Sequence, residues 1–127
     1  MKKLIIIILI SIFSSSVYAE WTKILTASGG SNIYLDKRTV KVDGSTKYFY
    51  FMVDYSKPDP QGTLSAKIYT EVNCSNMMMK RLILDYFKYP LGEGDSQIGS
   101  GPKDNPEWKY YPPDSVFGAL NKYVCDM

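Results

Sequence analysis

The 127-residue chain has no histidine, only two cysteines, and no long apolar run beyond Phe13. Each absence excludes a class of function. Without histidine there is no imidazole general base, no Ser-His or Cys-His dyad and no His-ligated metal. Two cysteines cannot by themselves build a structural zinc site or an iron–sulfur site. An excess of one charge is also missing, since 15 Lys and Arg stand against 13 Asp and Glu, a formal net of +2. No enzymatic activity, cofactor, catalytic residue or metal ligand is therefore expected. The length allows one domain with a modest core of its own.

The N-terminus reads as an export signal. Met1-Lys2-Lys3 is a short basic stretch, and the apolar run from Leu4 to Ile10 is extended by Ile12 and Phe13. Ser14 to Ser16 and Val17-Tyr18-Ala19 follow, placing small or β-branched residues where a signal peptidase reads, with cleavage after Ala19. A membrane anchor is the competing reading, but about ten apolar residues fall short of the roughly 20 a spanning helix needs. Glu20 follows the cut, so no cysteine is there to be lipidated, and no stable membrane anchor is expected after cleavage. Lys2 and Lys3 leave with the signal, which lowers the basic count from 15 to 13, equal to the 13 acidic residues. Nucleic-acid binding, which needs a basic patch to neutralise phosphates, loses its main support in a formally neutral domain. The expected organisation is a cleaved signal at 1–19 and a single periplasmic or secreted domain at 20–127.

Export bears on the cysteines too. In an oxidising compartment two thiols are most simply one disulfide, here Cys74 to Cys125. Such a bridge closes a loop of about 50 residues and contributes about 4 kcal/mol in the chain-entropy account. Free reactive thiols are the alternative, but neither cysteine has a His or a Cys-x-x-Cys partner to lower its pKa.

Strands come first and one helix last. Trp21 to Ala27 and Asn32 to Asp36 are short extended candidates, and Thr39 to Val42 continues after a turn. Asp43-Gly44 is a two-residue hairpin signal. Lys47 to Tyr55 is aromatic and β-branched, as in a strand covered on both faces. From Leu64 the alternation is strict: Ala66, Ile68, Thr70, Val72 and Cys74 share one face, and Lys67, Tyr69, Glu71 and Asn73 the other. Met77 to Tyr89 is read as the return strand. Helix competes over Met77 to Asp85, where Met, Lys, Arg and Leu favour it, but no cap precedes Met77. Leu91 to Glu107 holds four glycines and two prolines and reads as a long loop. Trp108 to Tyr111 returns as a short edge strand. Asp114 or Ser115 then caps a helix with Val116, Ala119, Leu120, Tyr123 and Val124 on one face. The expected fold is α+β: a meander-like antiparallel sheet of about five to six strands against a C-terminal α-helix, with one disulfide.

Candidate chemistry is sparse. Glu93, Asp95 and Asp104 fall in the long loop without the ligand register of a calcium loop. Met77-Met78-Met79 alternate across a strand and cannot chelate together. Lys80-Arg81 likewise alternate and read as solvated or cross-strand paired charge. Tyrosine is abundant, with 11 in the chain. Tyr48, Tyr50, Tyr55, Tyr69, Tyr86 and Tyr89 are read as strand formers. Trp108, Tyr110 and Tyr111 stand beside the long loop and are the candidate protein-contact residues.

The order of these features resembles the surface-adhesin protein E-like family of small exported bacterial domains. The residues that carry it are Trp21 with apolar residues after it, Ile33-Tyr34-Leu35-Asp36 followed by Val40, and the aromatic central strand. A strand ending in Cys74, Leu91-Gly92-Glu93-Gly94, and Trp108 ahead of Pro113-Asp114-Ser115 and the helix closing on Cys125 complete it. The resemblance implies an antiparallel sheet against a helix, a disulfide, and binding to host extracellular-matrix or serum proteins. The family's named adhesins are typically lipid-anchored, and this chain departs there, with no cysteine after Ala19. The expected function is a non-enzymatic, adhesin-like exported domain binding a host or envelope protein. The alternative is a soluble periplasmic accessory or hydrolase-inhibitor protein acting through residues 91–107. Sheet edges in so small a domain also make a homodimer plausible.

Overall fold

Period-two alternation on both sides of each turn brings successive strands together antiparallel. The computed structural model describes residues 20–127; the export signal assigned to residues 1–19 lies outside the described residues. The strands are β1 (Trp21–Thr26), β2 (Asn32–Asp36), β3 (Lys41–Asp43), β4 (Thr46–Asp54), β5 (Ser65–Asn73), β6 (Met78–Phe87), β7 (Gly101–Pro102) and β8 (Lys109–Tyr110), and α1 (Val116–Cys125) follows. They form one antiparallel sheet along the path β1-β2-β4-β5-β6-β7, with β3 beside the start of β4 and β8 beside the start of β6. The expected meander is therefore present, with two short strands added at its sides. Asp43 and Gly44 do make the β3–β4 hairpin, Gly44 taking the left-handed backbone (φ 60°) the turn needs. Lys37–Thr39 is a single 3-10 turn capped by Asp36, so the third strand starts at Lys41 and not at Thr39.

The strand reading of residues after Met77 holds, because β6 pairs with β5 through its whole length. A bulge after Tyr69 pairs Tyr69 with Ile83 but Thr70 with Arg81, leaving Leu82 as the extra residue. The long loop keeps its irregular character but is pinned. Gln97 N–H donates to the Tyr86 carbonyl at 2.7 Å, and Lys103 N–H to that of Leu82 at 2.8 Å. Pro90–Gly92 forms a further tight turn laid across the sheet.

One face of the sheet carries the core. Phe49, Phe51 and Val53 of β4 lie beside Ala66, Ile68 and Val72 of β5, flanked by Ile33 and Leu35 of β2 and Met79 of β6. Helix α1 closes this layer with Leu120 and Val124, both fully buried. Ser115 is its cap, the hydroxyl accepting from Gly118 N–H at 3.1 Å. The buried stripe is rotated from the one the apolar spacing predicts. Gly118 and Asn121 face inward, while Tyr123 is 37% exposed. Gly118 explains the rotation: it presses against the Pro112 carbonyl, where any Cβ would overlap that backbone. Asn121 and Thr70 are buried in this layer with no hydrogen-bond partner for their side-chain atoms. Among the described residues no helix is long and apolar enough to cross a membrane.

The helix is fixed at its C-terminal end. Cys74 and Cys125 are joined, with Cα atoms 5.6 Å apart, which ties the last turn of α1 to the end of β5. The Lys47 ammonium donates to the main-chain oxygens of Val124 (3.0 Å) and Met127 (3.1 Å). A cation there meets the negative end of the helix dipole and satisfies carbonyls with no partner inside the helix.

Helix propensity alone favours Gly118→Ala by about 1 kcal/mol. Here the Cβ has no room, so the substitution is expected to destabilise by at least about 2 kcal/mol, read from urea unfolding of the two proteins.

Candidate functional site

Among the described residues no second helix covers the face of the sheet opposite α1. The residues of that face are those of the other alternation phase, and the register sets them in rungs. Tyr34 of β2, Met52 of β4, Lys67 of β5 and Asp85 of β6 lie side by side. Tyr50, Tyr69 and Ile83 form the next rung, and Tyr48, Glu71 and Lys80 the one after. Two parts of this face differ in cover.

Around Met52 the Pro90–Gly92 turn folds over the sheet. Leu91 N–H donates to Asp54 at 3.0 Å, Gly92 N–H to Ser65 Oγ at 2.8 Å, and Ser65 Oγ to the Tyr89 carbonyl at 2.6 Å. Gly92 packs on the Lys67 stem so closely that a Cβ would collide with it. The Lys67 ammonium lies over the rings of Phe87 (5.1 Å) and Trp21 (5.9 Å). Met52 is fully buried as a result, although it points away from the core.

Beyond the turn the tyrosines are only half-buried. Tyr69 is tilted against Tyr50 at 4.6 Å between ring centres and stacked on Tyr48 at 6.2 Å. The Tyr48 hydroxyl donates to Glu71 at 2.6 Å, and that bond holds its proton above the ordinary tyrosine range. Burial raises Tyr50 as well, helped by the charge of Asp85. Both phenols therefore remain neutral donors under ordinary conditions, on an amphipathic surface with a carboxylate and a lysine in reach.

Trp108 and Tyr110 extend the same face at its edge. Tyr110 pairs with Met78 through β8 and is 58% exposed. The Lys80 ammonium sits 4.4 Å from the centre of the Trp108 ring. Tyr111 points the other way. It packs edge-on against Phe117 at 5.3 Å and its hydroxyl accepts from Arg81 Nη2 at 2.8 Å, on the helix side of the sheet. Of the three candidate contact residues, two thus share the tyrosine face and one does not. Lys80 and Arg81 are also separated, Lys80 opposite Glu71 and Arg81 half-buried opposite Thr70. Sequence reading missed Tyr48, Tyr50 and Tyr69 as a surface. The alternation from Leu64 did place Tyr69 outward, but the β4–β5 register that sets Tyr50 beside it is not written in either strand alone. Among the described residues no group of Cys, Asp and Glu is placed to hold a metal ion.

The family model for surface-adhesin protein E matches residues 21–126. The chain belongs to the surface-adhesin protein E family. Solved structures of the family's Haemophilus influenzae protein E share its fold. Crystal form II superposes with a TM-score of 0.65 at 18% identity, covering 87% of this chain and 90% of that one. The selenomethionine form gives 0.62 at 20% identity, with 87% and 88% covered. Protein E from a non-typeable strain gives 0.57 at 20% identity, with 86% of each chain covered. A comparison with curated proteins finds no match. Identity this low, together with the family match, carries the scaffold of the protein E family but not its surface residues.

The tyrosine face gives this family member an alkaline signature. The fold favours the neutral form of Tyr50, while the unfolded chain ionises near the ordinary value of 10.0. Its contribution is complete below that pH and is lost as pH rises past it. Tyr50→Phe is expected to flatten the fall in unfolding free energy above pH 10, read by urea unfolding at neutral and alkaline pH.

Proposed function

We propose that the chain is an exported, non-enzymatic, adhesin-like protein that binds a protein partner through its tyrosine face. The observation that carries this reading is the sheet face on which, among the described residues, no helix lies, where the half-buried Tyr48, Tyr50 and Tyr69 pack on one another. Tyrosine and tryptophan supply stiff, amphipathic contact area, and such residues concentrate binding energy at interface centres. Trp108 and Tyr110 form the rim of the contact. Family membership supports a host matrix or serum protein as the partner. A signal at 1–19 without a lipidation cysteine delivers the domain to the periplasm or beyond it.

A second reading rests on the long loop. Ile98 is completely exposed at its tip, while Gln97 beside it is anchored to the Tyr86 carbonyl and to Thr63 Oγ1. A fixed base presenting an apolar tip suits insertion into a partner's cleft, as in a periplasmic hydrolase inhibitor.

Binding of the purified protein to immobilised matrix and serum glycoproteins tests the first reading. Replacing both Tyr50 and Tyr69 with Ser is expected to weaken binding about tenfold or more, and Ile98→Ser to leave it unchanged. The reverse pattern supports the loop reading, and absence of binding across the panel counts against the adhesin.

A further inference from the structure

A groove of about 300 Å³ opens on the helix side of the sheet, where the strands run on past the start of α1. Ile33, Val53, Ile68 and Leu84 line it from four adjacent strands, and Phe117 closes it from the first helical turn. Its size is at the low end of small-molecule sites, about 300 to 1,000 Å³. The groove lies on the opposite side of the sheet from the tyrosine face, so nothing in the inference depends on the binding role proposed above.

One charge stands in this apolar lining: Arg81. Its guanidinium donates from Nη2 to the Tyr111 hydroxyl at 2.8 Å and lies 5.4 Å from the centre of the Phe117 ring. Among the described residues no carboxylate forms an ion pair with it. A half-buried guanidinium with a planar fork of donors, only one of which is directed at Tyr111, is suited to a carboxylate. The rest of the lining adds to the same preference. The groove wall includes the N-terminal turn of α1, where the helix dipole favours negative charge. No acidic side chain lines the groove. Tyr55 and Tyr86 also line it, and burial, with the charge of Asp59 nearby, keeps the Tyr55 phenol neutral.

We propose that this groove binds a medium-chain aliphatic carboxylate, with the tail along the half-buried Leu84, Tyr86, Val116 and Phe117 over a floor of Ile33, Val53 and Ile68, and the carboxylate on Arg81. Apolar walls exclude a fully hydrated anion such as phosphate, and the single cation selects an acid over an alcohol of the same length.

Decanoate is the probe, with decanol as the uncharged chain and acetate as the charge without a chain, each titrated into the purified protein by calorimetry and amide chemical shifts. Decanoate is expected to bind at least tenfold more tightly than either. Its shifts should fall on Val53, Tyr86 and Phe117, not on Tyr48 and Tyr69. Arg81→Met keeps the apolar stem and should weaken decanoate about tenfold while changing decanol little. Ala27→Phe, which narrows the groove from its wall with Arg81 in place, should abolish binding and serves if Arg81→Met does not fold. No decanoate binding, equal affinity for decanol, or binding undiminished in either folded variant would overturn the proposal.

Discussion

A ten-residue helix has to close one side of a sheet wider than itself, and everything distinctive about the molecule follows from where that helix is held. The covalent hold is at one end. Cys125 is bonded to Cys74, and Lys47 reaches the carbonyls of the same last turn. Isolated helices this short are marginal in water, so α1 depends on Leu120, Val124 and these two attachments for its place. A bridge closing a loop this long contributes about 4 kcal/mol, a substantial share of the roughly 5 to 15 kcal/mol by which domains are stable.

Anchoring the helix over the Cys74 end has two consequences. Phe117 reaches Phe51 but not the strand ends beyond it, so Ile33, Val53, Ile68 and Leu84 line a groove where a longer helix would have packed. On the opposite face the described residues supply the Pro90–Gly92 turn as cover. What remains is surfaced by tyrosine, a side chain that packs as a hydrophobe and presents a hydroxyl to water.

How much of this was legible in the sequence depended on the range of the interaction. The Ala66-to-Cys74 alternation, the Asp43-Gly44 turn and the Ser115 cap are local, and the structure follows them. The Cys74–Cys125 pairing was legible because no other pairing exists within the chain. The helix stripe was misjudged by part of a turn, since the decisive contact is Gly118 against Pro112, a backbone approach that hydrophobic spacing does not register. The site was harder still. Tyr111 and Tyr110 are neighbours in sequence yet lie on opposite sides of the sheet, and only the pairing of β8 with β6 decides which side each takes. Arg81 read as ordinary strand charge, because the bulge at Leu82 and the packing of Phe117 that make its surroundings are both tertiary.

Native-state amide hydrogen exchange before and after reduction of the Cys74–Cys125 bridge tests the one-ended hold most directly. Reduction is expected to strip protection from the Leu120 to Val124 amides well before those of β4 and β5, whose mutual pairing stays intact. Equal loss across helix and sheet, or an α1 that keeps its protection without the bridge, would contradict the account.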